Sequence, residues 1–247
     1  MEWKDKTYLI AGASSGIGEA AARRFDALGA KVILVARRED KLQKICQSLS
    51  ENSSYFAYDL KDTSHVNNLF EEILQKNGKL DGLVYTAGIC RVEAIKNMKC
   101  ESLMEMLQVN TLSFFSLCQC FSKVKYSQKG ASIVALSSYA AKSAEKGMCG
   151  YAMSKAALNT EIVVMAKEFL KRSIRVNAIM PANVLNKMAV EENIWTDEEF
   201  EMLKQVQPLG VIPVEQVVNC IEFLISDKSS FITGETIAIS GGYKFNK

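Results

Sequence analysis

Tyr151 and Lys155 stand one helical turn apart, so on a helix they share a face. Ser138 precedes them at the end of an apolar run, and Asn110 sits inside the apolar stretch Val109-Asn110-Thr111-Leu112. Together these side chains suit proton transfer. A free phenol titrates near 10, and a neighbouring ammonium stabilises the phenolate and brings the group toward working pH. The Ser138 hydroxyl can hydrogen-bond a substrate oxygen. A buried Asn110 needs partners, and a water held by its main or side chain would extend a proton relay to Lys155. Near the start of the chain lies a second informative segment, Gly12-Ala13-Ser14-Ser15-Gly16-Ile17-Gly18. Backbone N–H groups at a helix N-terminus bind phosphate when no side chain blocks the approach, and glycine allows both the tight turn and the closeness. The spacing is G-x-x-x-G-x-G, which departs from the common G-x-G-x-x-G. A proton-moving group and a dinucleotide seat in one chain point to joint hydride and proton transfer, the reduction of a carbonyl or its reverse.

These residues need a scaffold that brings them to one place. Apolar runs rich in Val, Ile, Leu, Tyr and Ala read as strands at 7–12, 31–36, 55–59, 82–86, 132–137, 175–180 and 236–239. Most are apolar throughout, as expected of strands covered on both faces of a parallel sheet. Helical stretches fall near 17–29, 39–50, 64–76, 101–124, 150–172 and 214–226. The alternation predicts an α/β fold: a doubly wound Rossmann-type domain over residues 1–247, a parallel seven-stranded sheet with helices on both faces. Residues 183–212 break the alternation. They carry the apolar Met188, Val190, Ile194, Trp195, Phe200, Met202 and Leu203, and read as a substrate lid at the carboxyl edge of the sheet.

The second strand ends at Ala36, followed by Arg37-Arg38-Glu39-Asp40. A site built for NAD carries an acid here to hold the ribose hydroxyls, which Ala36 cannot do. Arg37 or Arg38 suits a 2′-phosphate instead, so NADP(H) is the expected cofactor over NAD(H). Asp59-Leu60, closing the third strand, can flank the adenine.

Composition narrows the function classes. The chain has 247 residues, 48% of them hydrophobic, enough for a substantial core. A net charge of +2 gives no long-range field for nucleic acid, and no apolar run reaches membrane-spanning length. No signal peptide is read before the first strand, so a cytoplasmic protein is expected. The seven cysteines lack paired spacing and read as free structural thiols, with no metal site. Cys118 and Cys120 are expected on different faces of their helix. With His65 as the single histidine, a Ser-His-Asp hydrolase or a His-rich zinc enzyme is disfavoured.

The glycine loop, Ala87-Gly88, Asn110, Ser138, Tyr151, Lys155 and Pro181 occur in an order and spacing that resembles the short-chain dehydrogenase/reductase family, from Lys6 to Tyr243. The resemblance implies that Tyr151 is the general acid/base. It makes Lys155 the residue that tunes Tyr151 and holds the nicotinamide ribose, with Ser138 orienting the carbonyl and Asn110 supporting a water relay. It further implies cofactor contacts from Gly12, Ser14, Ser15, Gly16, Ile17, Gly18, Ala87, Gly88, Pro181 and Val184. The C-terminal segment from Phe231 to Gly242 resembles the family's ending, which helps build a tetramer, and the apolar helices near 101–124 and 150–172 also suggest a homotetramer. Length and spacing are similar to the 3-oxoacyl-[acyl-carrier-protein] reductases, which implies an acyl-thioester substrate, with Lys129 and Arg172 at positions where those enzymes dock the acidic carrier protein. Sugar, polyol or steroid dehydrogenases share the chemistry, and a non-catalytic dinucleotide sensor would share the fold. The chain departs from the family pattern at Tyr85-Thr86, where Asn-Asn is usual. It also departs at Ala182 for Gly, Asn186 for Thr, and Val211 for Arg. None of these removes a catalytic group; together they imply a specialised member.

Overall fold

The computed structural model describes residues 3–185 and 197–243. The predicted strands form one seven-stranded sheet. They are β1 (Thr7–Ala11), β2 (Lys31–Ala36), β3 (Ser54–Ala57), β4 (Leu80–Tyr85), β5 (Ser127–Leu136), β6 (Arg175–Pro181) and, after two short strands, β9 (Thr236–Ile239). The order is β3-β2-β1-β4-β5-β6-β9, and every neighbouring pair is parallel. The order reverses between β1 and β4, so the crevice for a ligand opens beyond the carboxyl ends of those two strands.

Strand side chains alternate between two cores, as the two-residue period requires. Leu9, Ile33, Leu83, Ile133 and Val176 pack with α3 (Val66–Asn77), α5 (Ser113–Phe121) and α7 (Cys149–Phe169). Tyr8, Ile10, Val32, Leu34, Val84 and Val134 pack with α1 (Gly16–Ala27), α2 (Glu39–Gln47) and the C-terminal helix α9 (Val214–Ile225). Continuous apolarity of the strands follows from this double coverage. Among the described residues no helix is long and apolar enough to cross a membrane.

Two readings of the sequence need correction. The helix expected over 101–124 is interrupted: α4 (Cys100–Leu107) passes into a π-turn at Gln108–Leu112 before α5 begins. Helical periodicity does not reveal such a turn; the Tyr85 hydroxyl, from β4, donates to Val109 O within it. Strand β5 begins at Ser127 instead of 132. Its polar first half pairs with β4 through a register shift, and Gly130 there has φ +82°. Cys118 and Cys120, two residues apart on α5, are both buried, because the helix is covered by the sheet and by α3, whose Asn67 Oδ1 lies 3.2 Å from Cys120 Sγ.

In the segment expected as a lid, strands β7 (Val184–Leu185) and β8 (Ile212–Pro213) pair with each other, and α8 (Asp197–Val206) lies between them in sequence. Asn186, Met188, Val190, Ile194, Trp195 and the side chain of Phe200 lie outside the described residues.

Candidate active site

Strand β1 runs into the glycine loop, and α1 starts at Gly16. Gly12 and Gly16 have φ of +93° and +59°, the region that favours glycine. Space demands glycine as well. A Cβ on Gly12 would stand 2.5 Å from Ala87 N, and one on Gly18 would stand 2.4 Å from Gly12 O and 2.5 Å from Thr86 Oγ1. The loop is thus pressed against Thr86-Ala87 at the end of β4, where Thr86 Oγ1 donates to Ala11 O at 3.0 Å. The departure to threonine at 86 keeps a small polar side chain under the cradle.

This junction opens into a cavity of about 500 Å³ lined by Gly12, Ser14, Ser15, Ile17, Gly18, Arg37, Arg38, Asp59, Leu60, Ala87 and Gly88. These eleven are residues the sequence singled out for a dinucleotide. Gly16 lies in the same loop. Arg38 arches over the cradle, with Nη2 donating to Ser14 Oγ and Ser15 Oγ at 2.8 Å each, while Arg37 is exposed. The donor set fits a dinucleotide: side-chain-free backbone at a helix N-terminus for the phosphates, and a held guanidinium beside it. Pro181 and Val184 are not in the cavity wall; Pro181 closes β6 and accepts from Tyr139 N at 2.8 Å, and Val184 pairs with Ile212.

The wall also contains residues that sequence reading missed. Lys61 and Arg91 both pair with Glu105, tying the β3–α3 and β4–α4 loops to α4. The two cations hold the Glu105 carboxyl well below the usual carboxylate range, at about 2. Charges this far apart in sequence carry no local signal of their meeting.

Ser138 follows β5 and stands beside α7. Its hydroxyl accepts from Ala140 N at 3.2 Å and acts on the Tyr151 phenol by lowering its pKa. Lys155 is buried one turn on. Its Nζ donates to Leu136 O at 2.7 Å and lies 5.9 Å from the Tyr151 ring centre. Leu136 also lines the cavity, so proton group and cradle share one sheet edge.

The electrostatics differ from the sequence expectation. Burial brings Lys155 down to about 8. Loss of solvent raises Tyr151 above its ordinary value, against the lowering effect of the Ser138 hydroxyl. The ammonium, bonded to a carbonyl instead of the phenol, does not overcome that burial. The phenol therefore keeps its proton at neutral pH, the form a general acid requires.

Asn110, on the π-turn, is fully buried. Its Oδ1 accepts from Ile89 N at 2.8 Å, and its Nδ2 donates to Ile89 O and Ser154 Oγ at 2.9 Å each. The side chain is thus occupied in joining the β4–α4 loop to α7. A Cβ on Gly88 would stand 3.3 Å from Asn110 Oδ1 and 3.4 Å from Lys155 Nζ, which shows how closely the three elements meet. Lys129 and Arg172 lie elsewhere. Lys129 is exposed near the start of β5, at the opposite end from Ser138. Arg172 is committed to the fold, donating to Ser122 O at 2.7 Å, Ser127 Oγ at 2.8 Å and Ser127 O at 2.7 Å.

Comparison with known proteins agrees with this layout. Residues 12–244 match a family model described as enoyl-(acyl carrier protein) reductase. The 3-oxoacyl-[acyl-carrier-protein] reductase FabG of Escherichia coli is 30% identical over 242 residues, covering 98% of each chain. An NAD-dependent glycerol dehydrogenase of Listeria innocua is also 30% identical, over 97% of this chain and 94% of its own. Among solved structures, a short-chain type dehydrogenase/reductase from Mycobacterium ulcerans superposes with a TM-score of 0.90 at 27% identity, over 98% of this chain and 90% of that one.

Proposed function

Since the chain belongs to the short-chain dehydrogenase/reductase family of oxidoreductases, we propose that it interconverts a carbonyl and a secondary alcohol with NADP(H). The observation that carries this reading is the gathering of Ser138, Tyr151 and a buried Lys155, whose Nζ lies 5.9 Å from the Tyr151 ring centre, at the sheet edge that also holds the glycine cradle. In this reading Gly12, Ser14, Ser15, Gly16, Ile17, Gly18, Asp59, Leu60, Ala87 and Gly88 hold the dinucleotide, and Arg37 and Arg38 hold its 2′-phosphate. The bound nicotinamide supplies the hydride. Ser138 fixes the carbonyl oxygen by a hydrogen bond. Tyr151 donates its phenolic proton to that oxygen as negative charge builds there. Lys155, with its ammonium nearby, stabilises the phenolate that remains, and Asn110 supports the water that returns a proton.

The first substrate class is a 3-oxoacyl thioester, as the name of the Escherichia coli relative suggests for that protein. Docking of an acyl carrier protein would rest on Lys129, because Arg172 is held by backbone carbonyls. A polyol with NAD(H) is the second reading, favoured by the equally similar glycerol dehydrogenase. We further propose a cytoplasmic homotetramer. Phe115, Val163, Val164 and Met153 leave an exposed apolar face along α5 and α7, and Phe231 is fully exposed near the last strand. The test is nicotinamide absorbance with each cofactor against acetoacetyl thioesters, ketones and polyols. No turnover with any carbonyl or alcohol would overturn the reading. Polyol oxidation without thioester reduction would select the second. Light scattering that returned a monomer mass would remove the tetramer.

A further inference from the structure

Tyr85 stands where the family pattern has asparagine, and the structure uses it for something an asparagine is too short to do. It ends β4, is fully buried, and packs its ring against Phe114 at 5.3 Å. Its hydroxyl donates to Val109 O, inside the π-turn. In a continuous α-helix the Val109 carbonyl would accept from the N–H of Ser113. Here the Ser113 N–H goes one residue further back, to Gln108 O. The single Ser113 hydroxyl proton has two acceptors in reach, Leu60 O at 2.5 Å and Gln108 O at 2.7 Å. The Tyr85 hydroxyl takes the carbonyl that the ladder skipped, and the Ser113 hydroxyl anchors the end of the turn between Leu60 O and Gln108 O.

Everything downstream hangs on this turn. Asn110 follows Val109 directly and clasps both backbone groups of Ile89, while its Nδ2 donates to Ser154 Oγ. Ser154 Oγ in turn donates to Tyr151 O at 2.7 Å, and Thr111 Oγ1 donates to Ser154 O at 2.8 Å. A relaxation of the turn to α-helical bonding would rotate Asn110 and Thr111 away from α7 and release the first turn of that helix.

We propose that Tyr85 and Ser113 are positioning residues: the Tyr85 hydroxyl takes the carbonyl that the π-turn frees, the Ser113 hydroxyl anchors the end of the turn at Leu60 O and Gln108 O, and the turn so held sets Asn110 and, through Ser154, the backbone of Tyr151. The catalytic part of the inference rests on the proposed role of Tyr151; the structural part does not.

Tyr85→Phe keeps the ring and removes only the hydroxyl. Two measurements are made on the full chain. Hydrogen exchange of amides 108–113 reads the turn directly, and its rate should rise about tenfold, as expected from one lost buried hydrogen bond. Turnover should fall about tenfold or more, with cofactor affinity within about threefold, since Tyr85 does not line the cavity. Unchanged exchange overturns the proposal. Faster exchange with unchanged turnover, in a protein that Tyr151→Phe inactivates, overturns the positioning role. If Tyr151→Phe remains active, or nothing is turned over, the functional reading fails, and exchange alone decides whether the hydroxyls hold the turn. Should Tyr85→Phe fail to fold, Ser113→Ala carries the same test, and unchanged exchange there also overturns the proposal.

Discussion

Glu161 is a carboxyl in the wrong place for a charge. It lies on α7 in a groove of about 620 Å³ lined by Phe115, Val164, Met165 and Phe169, and its Oε2 is buried without a hydrogen-bond partner. Loss of solvent raises its pKa from the ordinary 4.5 to about 8. Of the titratable groups near it, Tyr85 on β4 and Cys118 on α5 are themselves raised by burial and stay neutral through that range, and Glu168 lines the same groove. Between 4.5 and about 8 the folded chain holds a proton that the unfolded chain has lost, so stability falls as pH rises and the loss is complete above about 8. At about 1.4 kcal/mol per pH unit the ceiling is about 5 kcal/mol. The side chain is only partly covered, and solvent screening brings the expectation down to about 1–2 kcal/mol. Glu161→Gln keeps the shape of the neutral acid and removes the titration. Its melting temperature should match that of the unmutated chain near pH 5. At pH 9 it should exceed it by about 3–6 °C, for a chain of this size. Groups common to both proteins cancel in the difference. A melting difference that does not change with pH refutes the reasoning, because a purely steric effect carries no proton.

Tyr151→Phe should abolish turnover while cofactor affinity survives, because packing is kept and the transferable proton is lost; activity assays and equilibrium binding check this, and near-normal turnover would sink the mechanism. Lys155→Ala should lower both turnover and cofactor affinity, measured in the same assays, whereas a change in melting temperature alone would make the lysine structural. Arg38→Ala should remove most of any preference for NADP(H), about ten- to a hundredfold in affinity by equilibrium titration, since a charge-assisted contact contributes about 1.5–3 kcal/mol. Equal affinity of the unmutated chain for both cofactors would show that its guanidinium serves only Ser14 and Ser15. Arg172→Ala should destabilise the chain by about 2–4 kcal/mol in denaturant unfolding, as the Ser122 and Ser127 carbonyls lose their donors, and an unchanged midpoint would return Arg172 to the surface.

Much of the architecture was legible in the chain. Strands β2 and β9 have the bounds that their apolar runs suggest; for β2 the reason is cover on both faces, which keeps Val32 to Ala36 apolar. The cradle was legible for a related reason. Gly12 and Gly18 are pressed against backbone, and only glycine survives there, so the constraint is written in residue type. The pairing of Tyr151 with Lys155 is a matter of helical pitch, and pitch is local. Tertiary structure alone decided the rest. The π-turn that sets Asn110 depends on the Tyr85 hydroxyl from another element, and no periodicity within 101–124 records it. Whether Lys155 lowers Tyr151 depended on where its ammonium found an acceptor, and Leu136 O from a neighbouring strand provided one. Arg172 and Lys129 look alike in sequence as cations near element ends, yet three acceptors on the α5–β5 connection hold the first and none of those holds the second. Sequence specifies what is set by one element's own geometry and by steric exclusion. Partner choice among charges and hydroxyls is set by which elements the fold brings together, and that appears only in three dimensions.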